Sequence, residues 1–142
     1  MVRHVRRWAR ETSYRLGRRG CFLLFLALLD YVYGLSLWAP TASSLNTPQN
    51  QFLTSIAPLT VWGWLWLAVA VACTVYAFRL RDGVGYAAAM FLKMLWGSVF
   101  ALGWLFADVE RAYLSAVIWL SFAGVVYLVA TWPDDYKGGP SR

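Results

Sequence analysis

The sequence predicts an all-α integral membrane protein: a four-helix bundle with a basic amphipathic helix at its N-terminus. Three observations carry that reading. The 142 residues are 60% hydrophobic and only 14% charged, against about 45–50% apolar and about 25% charged in soluble domains. The apolar residues gather into four runs of membrane-spanning length. The basic residues gather into the segments that fall on one side of those runs. The length allows one domain. The apolar content excludes a disordered chain, and two cysteines are too few for a disulfide-stapled fold.

Residues 1–20 open the chain as a basic arm. On a helical wheel Val2, Val5, Trp8, Ala9, Thr12 and Leu16 cluster on one side, with Arg3, Arg6, Arg7, Arg10 and Arg18 opposite. A helix so divided is expected to lie in the membrane interface with its arginines among lipid headgroups. Anionic lipid adds about 1 kcal/mol per basic residue near the surface. Serving only as a topology signal is the plainer role for the same residues. An Arg-rich arm also suits nucleic acid, but tethering at a membrane argues against that partner. Arginines ahead of an apolar run also resemble a secretory signal, yet Asp30 inside the run and the loose fit around Ala39 argue against cleavage.

The membrane domain, residues 21–132, holds spans at 21–39, 59–78, 84–107 and 112–132. About 20 residues at 1.5 Å rise cross a hydrocarbon core of about 30 Å. The second and fourth runs carry no charge; the first carries Asp30 and the third Lys93. The runs are continuous rather than alternating, which favours helices over strands. The first connection, residues 40–58, is polar and uncharged. The others, Arg79 to Gly83 and Asp108 to Arg111, are short, so successive helices should be antiparallel neighbours. Residues 133–142 form a short tail.

Orientation follows from lysine and arginine outside the spans. Seven arginines of residues 1–20, Arg79, Arg81, Lys137 and Arg142 fall on one side, and Arg111 alone on the other. The reading is a multi-pass protein of the cell membrane with both termini cytoplasmic. Trp38, Trp62, Trp64 and Trp104 fall near the outer ends of their spans, as an aromatic belt does. Trp66, Trp96 and Trp119 lie deeper and fit core packing.

Little in the chain suggests catalysis. His4 is the only histidine, so no histidine-based metal or haem site forms. Cys21 and Cys73 fall toward the reducing side and read as small apolar filler. Asp108 with Glu110, and Asp134 with Asp135, sit at span ends and read as solvated flanks. No phosphate loop, nucleophilic triad or Cys-x-x-Cys is present. A non-enzymatic protein without cofactor or metal is expected.

Asp30 and Lys93 are the sharpest signal. Each lies nine residues from the cytoplasmic start of its span, at Cys21 and Val84. Both charges therefore sit about 13–14 Å into the core. Either alone would cost about 2.5–3.5 kcal/mol on insertion scales, so equal depth and opposite sign predict an ion pair. Gly85, Ala89, Gly97 and Ala101 share an i, i+4 stripe with Lys93, which predicts a close helix-packing face around it. Tyr31 and Tyr33 flank Asp30 and are placed to donate hydrogen bonds. The pair serves either to fix helix packing or as a polar, proton-responsive site.

Four short-looped spans, an Arg-rich arm, tryptophan-rich helices and a short polar tail together resemble the small membrane proteins of phages of GC-rich bacteria, some of them holins. The resemblance is one of layout and assigns no residue roles. It implies a phage-type accessory or holin-like protein that oligomerises and permeabilises or modifies the host membrane. Two other functions fit the same residues. One is a membrane-resident subunit or inhibitor packing on a larger membrane complex. The other is a small channel or transporter built on Asp30 and Lys93.

Overall fold

The computed structural model describes residues 17–79 and 82–133. Arg3, Arg6, Arg7, Trp8 and Arg10 of the basic arm, and the tail beyond Pro133, lie outside the described residues. The described residues form helices α1 (Arg18–Trp38), α2 (Ala42–Leu45), α3 (Pro48–Ile56), α4 (Leu59–Ala77), α5 (Gly83–Ala107) and α6 (Ala112–Ala130). There is no strand among them. Four helices, α1, α4, α5 and α6, are long and apolar enough to cross a membrane.

The helix ends follow local chemistry. The first helix begins three residues before the expected Cys21, so Arg18 belongs to the bundle rather than to a separate arm. Arginine is a good helix former, and a bond from Arg19 to Asp82 holds this first turn. The helix stops at Trp38 because Ala39 precedes Pro40 and is pushed off helical geometry, at φ −123° and ψ 65°. The polar connection between the first two long helices, for which the sequence reading named no helix, folds into α2 and α3. The Thr41 and Thr47 side chains accept from the amides of Ser44 and Asn50 and cap the two helices, and Pro48 sits at the first turn of α3. Extended Ala57, ahead of Pro58, ends α3. At the close of α5 the Val109 N–H donates to the Gly103 carbonyl (3.2 Å). Asp108 stands in the left-handed region at φ 47°, where glycine is usual. Aspartate is one of the few other residues to visit that region.

Two close pairings build the bundle: α1 on α4, and α5 on α6, with α4 against α5 between them. The first depends on Gly34 and Gly63, where a Cβ on Gly63 would come 2.9 Å from the Gly34 carbonyl oxygen. The second tightens at Gly97, where a Cβ would come 2.7 Å from Leu120 Cγ. Helix α3 lies across one end of the bundle. Its Leu53 is buried, its Phe52 ring packs on Gly103, and its Leu53 carbonyl accepts from the Trp62 indole N–H (3.2 Å). Gln49 bonds the Glu110 carbonyl (3.3 Å), which ties α3 to the α5–α6 turn. The opposite end gathers the starts of α1 and α5 and the close of α6: Arg19 reaches both Asp82 and the Trp132 carbonyl there. All four long helices turn large apolar side chains outward, among them Phe25, Val61, Phe91 and Ile118.

Candidate functional site

Lys93 and Asp30 meet inside the bundle. The Lys93 ammonium donates to Asp30 Oδ1, and both side chains are 0% exposed. The contact is one of three ties between α1 and α5 that share a single sequence offset. Arg19 bonds Asp82, Asp30 bonds Lys93, and Tyr33 bonds Trp96, each pair 63 residues apart. A constant offset means that the two helices run parallel and in register, with the same face turned to one another. Arg19 and Asp30 are eleven residues apart, close to three full turns, and Tyr33 follows Asp30 by three residues on the same face. The equal depth read from the sequence is this register. Since α1 packs chiefly on α4, long side chains make these ties rather than close backbones.

Aromatic rings close the site. Lys93 Nζ lies 4.4 Å from the centroid of the Trp66 ring and 5.8 Å from that of Trp119. Ring faces carry negative charge density and stabilise a desolvated cation by about 2 kcal/mol. Tyr33 lies tilted against Trp66 at 4.3 Å and meets Trp96 and Trp119 edge-on at 5.8 and 5.3 Å. Trp66 itself stands edge-on to Trp96 (5.3 Å) and to Trp119 (5.1 Å). These residues come from α1, α4, α5 and α6, so every long helix contributes to the cage. The Tyr33 hydroxyl accepts from the Trp96 indole N–H (3.2 Å). The expectation that Tyr33 donates to Asp30 is corrected: the Tyr33 hydroxyl meets Trp96, and Asp30 is bonded by Lys93 at Oδ1. Asp30 Oδ2 and the Trp66 indole N–H are buried with no hydrogen-bond partner among the described residues.

The small-residue stripe of α5 is distributed differently from the expected single face. Gly85, Ala89 and Gly97 are buried and Ala101 is partly buried, but they face different neighbours. Gly85 lies against Tyr76 of α4 and Leu23 of α1, whereas Gly97 lies against Leu120 of α6. The reason is geometric. Each i to i+4 step advances about 40° around a helix of 3.6 residues per turn, so the stripe winds from one neighbour to the next. Trp38, Trp64 and Trp104 are about half exposed at the α3 end, and Trp38 and Trp64 meet edge-on at 5.7 Å. Trp62 turns inward instead, edge-on to Trp96 at 5.3 Å.

The cage around Lys93 is the part that sequence reasoning missed, since Trp66, Trp96 and Trp119 read only as core. A signal was present. Trp96 follows Lys93 by three residues, as Tyr33 follows Asp30, so each charge carries an aromatic partner on its own helix face. Comparison with known protein families, curated proteins and solved structures gives no match.

Proposed function

We propose that this chain is a small, non-enzymatic, multi-pass protein of the cell membrane that acts through its outer helical faces, as an accessory subunit packing on another membrane component. One observation carries the reading. The two charges of the long helices' interiors are spent on each other at 0% exposure, while the outward faces are apolar on all four helices. A bundle of that kind sits in hydrocarbon without a water-filled path past Asp30 and Lys93, which disfavours the channel or transporter reading. The holin-like alternative requires many copies to assemble and open the membrane.

The basic end, with Arg18, Arg19 and Arg79, is assigned to the cytoplasmic side by the charge bias of the loops. Expression of the full chain with a membrane-potential dye, followed by alkaline extraction of membranes, tests the proposal. The expected result is a chain retained in the membrane pellet of cells that stay polarised. Prompt depolarisation would establish the holin-like reading instead, and release into the alkaline supernatant would refute membrane insertion. Single cysteines at Ser43 and Gly139, in a chain lacking Cys21 and Cys73, test the orientation. Position 43 should label from outside intact cells, and labelling at 139 would reverse the topology.

A further inference from the structure

The 63-residue offset between α1 and α5 has a counterpart in the other two long helices. A shift of 53 residues carries α4, Leu59–Ala77, onto α6, Ala112–Ala130, end to end. The two shifts differ because the first connection is the longer and holds α2 and α3. Burial follows the same shifts: Leu26 matches Ala89, Gly63 matches Ala116 and Cys73 matches Val126, all of them buried. Each hairpin also closes at a matched place. A Cβ on Gly34 would come 3.1 Å from Leu67 Cγ of α4, and one on Gly97 would come 2.7 Å from Leu120 Cγ of α6. Gly97 is the counterpart of Gly34, and Leu120 is that of Leu67.

We infer that the chain is a two-fold pair of equivalent helical hairpins, α1–α4 and α5–α6, and that the inner face of each is a recognition surface for a hairpin of its own kind with opposite charges near the axis. In a two-fold pair, a residue near the axis meets its own counterpart, and every other contact recurs with the halves exchanged. Counterparts do meet: Arg19 with Asp82, Asp30 with Lys93, Tyr33 with Trp96, and Trp66 with Trp119 at 5.1 Å. The exchanged contact recurs as well. Tyr33 lies 5.3 Å from Trp119, and its image, Trp96 to Trp66, is also 5.3 Å. The symmetry is approximate, since α4 lies against α5 more closely than α1 against α6. The charges select the partner. Two α1–α4 hairpins paired alike would set arginine on arginine at one level and aspartate on aspartate at the next, and like charges so placed repel. Pairing α1–α4 with α5–α6 sets each charge on its opposite. The inference concerns pairing inside the chain and does not depend on the accessory role proposed above.

Equivalent halves can exchange their charges, and thermal aggregation of the full chain in detergent tests this. Asp30→Lys and Lys93→Asp, made singly, each bring like charges together near the axis and should lower the midpoint. The chain carrying both changes should recover most of that loss. The rings should then trade roles. Trp66 lies nearer the Lys93 ammonium than Trp119 does, and Trp119 is the counterpart of Trp66, so an ammonium moved to α1 meets Trp119 as Lys93 meets Trp66. The loss caused by Trp119→Leu should therefore grow in the exchanged chain, and the loss caused by Trp66→Leu should shrink. Comparing one ring in two backgrounds cancels its share of the packing. Tyr33→Trp with Trp96→Tyr makes a second exchange on the next turn with every charge in place, and that chain should be more stable than either single change. It decides the matter where the charge exchange fails to fold. An aromatic exchange no more stable than its single changes, or ring losses that keep their wild-type order in a folded charge-exchanged chain, would overturn the two-fold pairing.

Discussion

Two ion pairs join the same two helices, and they behave differently because of where they lie. Arg19–Asp82 ties the first turn of α1 to the start of α5 at the end of the bundle, with each side chain 17% exposed. Asp30–Lys93 ties the same helices eleven residues further in, at 0% exposure. Water and salt reach the first pair and not the second. A pair that solvent still reaches is worth about 1 kcal/mol, whereas breaking a sealed pair by removing one member costs about 3–5 kcal/mol, because the partner's charge stays buried. The comparison separates two jobs. The end pair aligns the helices and positions Arg19, and the interior pair makes the α1–α5 register costly to lose.

The largest effect is expected from Lys93→Met. Methionine nearly keeps the length and fills the aromatic cage, so the change isolates the charge. The midpoint of thermal aggregation in detergent should fall by the equivalent of about 3 kcal/mol, and added salt should not alter the loss, since the site is dry. Next is Trp66→Leu, which removes the ring nearest the ammonium. A loss of about 2 kcal/mol is expected in the same assay, and a loss no larger in the wild type than in a Lys93→Met background would show that the ring acts on the cation no more than as packing. Tyr33→Phe deletes only the acceptor for the Trp96 N–H and should cost about 1 kcal/mol, read as a smaller shift together with a change in tryptophan fluorescence. Smallest is Asp82→Asn, at no more than about 1 kcal/mol. Its cost should shrink further at high ionic strength, and a salt-independent loss there would erase the distinction between the two pairs.

How much of this was legible in the sequence follows the same division. The four long helices were legible because uninterrupted apolar length is a local property, and their observed bounds differ from the expected ones by at most three residues. Asp30 and Lys93 were legible as a pair because depth along a helix is a count of residues. Which neighbour each small residue of α5 would meet was not legible, since that depends on how the stripe winds past three other helices. The folding of residues 42–56 into α2 and α3 was also missed. Its threonine caps and Pro48 are helix-start signals, but a polar composition hid them. The inward turn of Trp62 followed from that omission, because its hydrogen-bond partner is the Leu53 carbonyl of α3.

The central claim is that Asp30 and Lys93 meet and depend on each other inside the bundle, and a double-mutant cycle tests it most directly. The quantities are the thermal aggregation midpoints, in one detergent, of the wild type, Asp30→Asn, Lys93→Met and the double variant. Each single change leaves one charge of the pair sealed among apolar and aromatic groups, while the double change leaves neither. The double variant should therefore be more stable than the sum of the single losses predicts, by a coupling of at least about 1 kcal/mol, the scale seen between side chains in membrane bundles. Strictly additive losses would mean that the two residues do not interact, and the register between α1 and α5 would then have to rest on packing and on the Arg19–Asp82 and Tyr33–Trp96 ties.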